Sequence, residues 1–265
     1  MADWKKEPVN GKFYHKNYWR FGFKSRLYDL LTPEAYIDSA RRAVRCVPQN
    51  PGSVWLDAGC GAGLLLQCLM EQAKPGLRYV GTDILLSGLK SARRKADARR
   101  SGEIQNPRFI QWNMTQPLPF RTGSFDVIVA HFSIYTIPDP ERRRQAIRNL
   151  AAALKPEGWL VLVNPSREYD AKRIIQESLA EVRNRQGTLA ALVRKLALYP
   201  LTLHLGLKFI EQQLKLGHWH AFSREESCAE MEKAGLVVKH TESVYAASGH
   251  LVAARRLSGK FKGPG

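Results

Sequence analysis

The sequence predicts an α/β fold built on a seven-stranded, mostly parallel sheet, with helices on both faces and a helical cap inserted before the last strands. Three observations carry that prediction. From Ser53 onward, apolar runs of strand length alternate with stretches of helical periodicity, as parallel strands and their crossover helices require. The first run, Val54 to Asp57, opens at once into glycines at 59, 61 and 63, the mark of a tight strand-to-helix turn. Between residues 167 and about 216 the alternation stops, and Leu, Lys and Arg recur at helical spacing.

The elements follow in order. A helix is predicted from about Pro33 to Arg45, then strand 54–57, helix 63–73, strand 78–83, helix 87–100, strand 108–112, strand 125–130, helix 140–154 and strand 159–163. Asp139-Pro140 supplies an N-cap and a first-turn proline, and Lys155-Pro-Glu-Gly158 stops the same helix. Leu236–His240 and His250–Ala254 read as a closing antiparallel pair. The expected organisation is an aromatic and helical lid segment (1–50), an α/β core (51–164 and 222–256), a helical cap (165–221) over the carboxyl edge of the sheet, and a basic tail (257–265). Ligands bind at that edge in open α/β sheets.

At 265 residues, 44% hydrophobic and with six tryptophans, the chain has enough apolar material for one large core, which excludes a disordered class. The first residues lack the order of a secretory signal. The longest charge-free apolar stretch outside a strand, Leu196 to Leu207, is too short to span a bilayer and is interrupted by Pro200. A cytoplasmic protein is expected. Four cysteines form no C-x-x-C pair and no zinc spacing, so no metal site is expected. The formal charge of +17 suits RNA, an anionic membrane face or an acidic small molecule, and equally a solvated basic surface.

The glycine turn carries the chemistry. Its spacing is G-x-G-x-G, with Leu64 where a dinucleotide fingerprint has its third glycine, and Asp57 just before it repels a pyrophosphate but welcomes a cation. A second strand-end acid, Asp83, stands about twenty residues on, where a carboxylate accepts both hydroxyls of a ribose. With Asp57-Ala-Gly-Cys-Gly-Ala-Gly63, Leu118-Pro-Phe120, Ser124-Phe-Asp126 and Leu154-Lys-Pro-Glu-Gly158, the chain resembles the class I S-adenosylmethionine-dependent methyltransferases. That broad group includes the ubiquinone and menaquinone C-methyltransferases as well as many O- and N-methyltransferases. The resemblance covers roughly residues 33 to 255 and implies a Rossmann-like core with S-adenosylmethionine as cofactor. It places Asp57, Ala58, Gly59, Cys60, Gly61 and Gly63 around the methionine portion and ribose, and Asp83 on the ribose. Ile84 and Met114 then flank the adenine, and Asn113 stands where family members often have an acid; it serves as an adenine contact or as a turn residue. The two cysteines near this turn read as small buried fillers.

Methyl transfer from a sulfonium needs alignment and exclusion of water more than a catalytic triad, so the acceptor is not written in catalytic residues. His131, at the end of the fourth strand, lines the sulfonium and is the best-placed base; His15, His218 and His220 are further histidines to weigh. Tyr18 is expected to reach the cofactor, and Tyr14, Tyr135 and Trp219 the acceptor; an aromatic cluster packed on the sheet is the alternative for the amino-terminal rings. The loop after the fourth strand lacks the [DNS]-P-P-[YF] sequence of base-modifying amino-methyltransferases. Leu189, Leu192, Val193 and Leu196 recur at helical spacing with Arg194 and Lys195 between them, as a lid touching an anionic membrane or, more simply, as a stripe packed on the core. The expected activity is methyl transfer to a small apolar or aromatic acceptor. An RNA methyltransferase, with Arg93, Arg94, Lys95, Arg99 and Arg100 on one helix, and a non-catalytic cofactor-binding partner subunit are the alternatives.

Overall fold

Strand β1 (Val54–Ala58) is an interior strand and is buried almost throughout, as a parallel strand covered on both faces must be. In the computed structural model, which describes residues 31–72, 76–98 and 104–258, six more strands join it: β2 (Leu77–Asp83), β3 (Ile104–Gln111), β4 (Phe125–His131), β5 (Leu154–Pro165), β6 (Val237–Val244) and β7 (Gly249–Arg255). They form one Rossmann-like sheet in the order β3-β2-β1-β4-β5-β7-β6. Pairing is parallel from β3 to β5, and β7 runs antiparallel between β5 and β6. The strand order reverses between β1 and β4, whose carboxyl ends therefore border the crevice where ligands bind.

Helices α1 (Glu34–Arg45), α2 (Leu64–Gln72), α3 (Leu86–Ala98) and α4 (Pro140–Ala153) accompany the first five strands. Asp139 caps α4 by accepting from the Arg142 amide at 2.7 Å, and Pro140 occupies its first turn. The core is aliphatic and alanine-rich: Leu56, Ile128, Leu160, Val161 and Ala253 are completely buried. Truncating Ile128 or Leu160 to alanine is expected to cost about 2–5 kcal/mol.

The cap comprises α5 (Ala171–Gln186), α6 (Thr188–Val193), a π-helical stretch Arg194–Leu198, a turn α7 (Tyr199–Leu201), a second π-helical stretch Thr202–Leu207, and α8 (Lys208–Lys215). Pro200 has no N–H to continue the ladder, and the wide turns on either side absorb that loss. The cap is tied to α1 by Ala35 N–H to Ser178 Oγ (3.1 Å) and to Leu31 by Thr202 Oγ1–H to its carbonyl (2.8 Å). At its far end, the His220 amide donates to the Tyr135 carbonyl just beyond β4.

Several boundaries differ from the sequence reading. Strand β3 starts at Ile104 rather than 108. Asn106 and Pro107 look like a breaker, but β3 is an edge strand, and Asn106 takes a left-handed φ of 43° beside a register shift. Chain direction changes at Leu154, which already pairs with Phe125, so β5 begins before Lys155-Pro-Glu-Gly158, and left-handed Glu157 sits in its register shift. Strand β6 continues to Val244 through polar residues, because an edge strand exposes one face to water. Helix α9 (Arg224–Lys233) was not anticipated, although Ser223-Arg-Glu-Glu226 is a capping-box pattern and the Ser223 hydroxyl does accept from the Glu226 amide at 3.1 Å.

Candidate functional site

The carboxyl ends of β1 and β2 are stitched together by the glycine turn. The amides of Gly59 and Cys60 both donate to the Thr82 carbonyl at 2.8 Å, and Gly59, Gly61 and Gly63 all have positive φ. At Gly59 the reason for glycine is also steric: a Cβ there would lie 2.3 Å from that of Ser133. Ser133 in turn donates to the Ala58 carbonyl at 2.7 Å, locking the ends of β1 and β4 side by side.

Two carboxylates sit in this corner. Asp57 is only 2% exposed, and the hydroxyl of Tyr79, itself buried, donates to its Oδ2 at 2.7 Å. Burial pushes the Asp57 carboxyl up to about 7, against the Tyr79 hydrogen bond and assisted by the negative charge of Asp83. Asp83 is half-buried; one oxygen accepts from the Gly61 amide (2.8 Å) and the other from the Leu85 amide (2.7 Å). Burial raises its pKa as well, with those backbone bonds pulling the other way. Each carboxylate oxygen has a second lone pair, so two hydroxyls can still be accepted. Asp83 thus does two jobs: it shapes the turn and stays available. The helix after it begins at Leu86, so Ser87 lies inside the first turn and does not cap it.

This corner fits S-adenosylmethionine. A buried acid held near neutrality gains from a cation beside it, and a diol suits an acid oriented by two amides. A pyrophosphate would meet two negative charges. Ala58 and Cys60 are buried within the turn, and burial holds the Cys60 thiol well above its usual range, the signature of a filler and not of a nucleophile.

Asn113 behaves as a turn residue: its Oδ1 accepts from the amide (3.0 Å) and hydroxyl (2.9 Å) of Thr115. Asn149 on α4 holds the same loop by donating to the Met114 and Gln116 carbonyls, and the Met114 methyl lies 3.6 Å from where a Gly59 Cβ would be. Ile84 is half-buried, its carbonyl accepting from Gln111. Tyr14, Tyr18 and His15, together with Arg99 and Arg100, lie outside the described residues.

His131 is 7% exposed, with Nε2 2.8 Å from Ser39 Oγ. Because the Ser39 hydroxyl donates to the Tyr36 carbonyl, it accepts from Nε2–H, leaving Nδ1 as the unprotonated nitrogen. Burial pushes the imidazole down to about 3, so it stays neutral and is a feeble base. His218 is exposed and pairs with Gln213, and His220 pairs with Glu226 at 2.5 Å.

Beyond β4 lies a set of rings. Phe132, left-handed at φ 47°, stacks edge-on to Tyr245 (5.0 Å), Tyr135 (6.2 Å) and His131 (4.9 Å), with Tyr36 tilted against it at 5.1 Å. Tyr135 meets Trp219 at 5.3 Å, so two of the three residues expected at the acceptor are brought together, both buried. The β6–β7 turn aims Tyr245 through three consecutive left-handed residues, Tyr245, Ala246 and Ala247. Ser166 and Ser248 hold that turn: Ser166 donates to the carbonyls of Ala247 (Oγ) and Ser248 (N), and Ser248 Oγ accepts from Asp170. A Cβ on Gly249 would touch the Asn164 carbonyl (3.1 Å), Phe132 (3.2 Å) and Tyr245 (3.5 Å). Asn164 is 1% exposed, and neither polar atom of its amide has a partner among the described residues, a costly arrangement for a buried amide.

Tyr36, Tyr79, Ser133, Asn164 and Tyr245 were missed in the sequence. Only Asn164 had a signal, a polar residue ending a continuous apolar strand. The others gain their place from strand register and a turn no local pattern announces.

Residues 56–160 match the family described as a methyltransferase domain. A demethylmenaquinone methyltransferase of Thermus thermophilus is 36% identical over 46% of this chain and 52% of its own length. A tRNA (guanine-N(7)-)-methyltransferase of Rubrobacter xylanophilus is 28% identical over 54% of this chain and 60% of its own. The chain spans about half the length of the curated relatives it matches. A solved S-adenosylmethionine-dependent methyltransferase from Aquifex aeolicus superposes with a TM-score of 0.58, covering 88% of this chain and 98% of that one, at 15% identity.

Proposed function

We propose that this chain, a class I S-adenosylmethionine-dependent methyltransferase by fold and domain, moves a methyl group from S-adenosylmethionine to a small apolar or aromatic acceptor. The observation that carries the acceptor class is the aromatic ring set around Phe132, which adjoins the glycine turn through Ser133. When bound, the cofactor supplies a methyl on a sulfonium with a neutral thioether leaving group. Asp83 would hold the ribose hydroxyls, and Asp57, deprotonated beside the ligand's positive charge, would hold the amino-acid end. Phe132, Tyr245 and Tyr135 would exclude water and orient the acceptor. His131 positions Ser39 and Tyr36 and moves no proton, so the acceptor arrives as its own nucleophile: an enolate, a phenolate or an amine.

Calorimetry with S-adenosylhomocysteine tests the cofactor half, and turnover of S-adenosylmethionine over a panel of phenols, quinols and amines tests the acceptor half. Binding together with turnover of a quinol or phenol is the expected result. Binding with turnover only on tRNA would replace the acceptor by RNA, the reading the +17 charge favours. Binding with no turnover until a second protein is added would make the chain a partner subunit.

A further inference from the structure

The middle of the cap, from α6 through the second π-helical stretch, is built inside out. Leu189, Leu192, Val193, Leu196, Leu201 and Leu205 are all exposed, Leu189 and Leu196 to 76% and 70%. The alternative of a stripe packed on the core fails here, because the side of α6 facing the protein is taken by Ala191 and the next turns bury Tyr199 and Thr202 instead. The far end differs: Leu207 and Ile210 are buried and Leu203, Phe209 and Leu214 pack against the core, although Leu216 just beyond α8 is exposed again. Six exposed large apolar residues therefore fall within the single stretch from Leu189 to Leu205.

The charge around them has one sign. No Asp or Glu occurs between Val182 and Ile210, while Arg183, Arg185, Arg194, Lys195 and Lys208 do. Arg185 and Arg194 turn inward to Glu34, whereas Arg183, Lys195 and Lys208 are exposed and form no ion pair among the described residues. Among the described residues no helix is long and apolar enough to cross a membrane. Large leucines outward, cations beside them, no acid and no spanning helix together describe a segment that lies in an interface.

We infer that residues 188–208 form a docking face for an anionic lipid bilayer, with Leu189, Leu192, Leu196 and Leu205 entering the acyl boundary and Lys195 and Lys208 meeting the headgroup charge. The π-helical turns on either side of Pro200 keep the segment helical, with Leu196, Leu201 and Leu205 all exposed. This surface stands independently of the methyl-transfer reading.

Flotation of the full chain with vesicles of phosphatidylcholine containing about 30% phosphatidylglycerol tests it. The expected result is binding to these vesicles and little to pure phosphatidylcholine, reduced by salt, and weakened at least about tenfold by the pair Leu189→Glu and Leu196→Glu. Lys239→Glu, which makes an equal charge change on exposed β6, should leave binding within about twofold. Absence of vesicle binding by the native chain overturns the inference. So does equal weakening by Lys239→Glu, which would reduce the effect to net charge. A dimer in sedimentation velocity that the paired substitution dissolves would assign the face to a second copy. A fall of several degrees in melting temperature would assign it to another part of the same chain; either result overturns lipid as the occupant.

Discussion

The glycine-turn corner and the outer half of the cap are built on opposite rules. In the corner, charge goes inside: Asp57 is buried and Asp83 half-buried at the strand ends, and backbone amides and Tyr79 fix their oxygens. In the cap, grease goes outside: leucines face outward beside cations, and helical backbone satisfies itself. The corner specifies individual atoms of a ligand. The cap specifies only a polarity and a sign of charge. Residue changes should therefore act steeply and singly in the first region and additively in the second.

Gly61→Val probes that contrast at its steepest. Its φ of 49° is hostile to a β-branched side chain, and the amide it presents to Asp83 would move. Calorimetry should show loss of S-adenosylhomocysteine binding beyond about 100-fold, with the far-ultraviolet circular dichroism spectrum kept. Retained affinity would remove the turn from the site. Asp83→Ala should weaken binding at least about tenfold, the expected loss of a charged acceptor shared by two hydroxyls; unchanged affinity would cancel the ribose assignment.

Asp57 makes the contrast depend on pH. Its carboxyl, raised to about 7 in the fold and near 4 unfolded, holds its proton more tightly in the folded protein. That stabilisation is complete below about pH 4 and is lost as pH rises through about 7. Asp57→Asn keeps an acceptor for Tyr79 without a charge, so urea melts of the ligand-free protein at about pH 8 should show it more stable than the native chain by about 1–3 kcal/mol. Affinity of the native chain for S-adenosylmethionine should rise between about pH 5.5 and 8 as the proton leaves, and the variant should lose that slope. A pH-independent native affinity would show that Asp57 does not meet the cation. Smallest of all, the cap pair Leu189→Glu and Leu196→Glu should leave S-adenosylhomocysteine affinity within about twofold; a larger change would mean the two regions are coupled.

Periodicity made the sheet legible because buried parallel strands are nearly all apolar and glycines punctuate them. It failed where an edge strand breaks that rule: Pro107 hid the start of β3, and polar residues hid the end of β6. The corner was readable through Asp57, the glycines and Asp83, whose spacing is local. Tyr79 was not, because its meeting with Asp57 depends on which β2 side chain the register turns toward β1. Asn113 had two readings, and its hydrogen bonds to Thr115 chose the turn. His131 looked available from its strand-end position, and only burial and Ser39 show it to be spoken for. In the cap, helical spacing is the same whether a stripe faces in or out, so the sequence alone was silent on that.

The three left-handed residues that end in Ala247 have a practical consequence. An alanine at positive φ sits about 1–2 kcal/mol above a glycine in the same place, so Ala246→Gly and Ala247→Gly are ready routes to a hardier protein. The same change would unclench the hinge that points a phenol ring at its neighbours. Ruggedness and marksmanship pull against each other at this one bend, and whoever tunes this protein for heat will be choosing between them there.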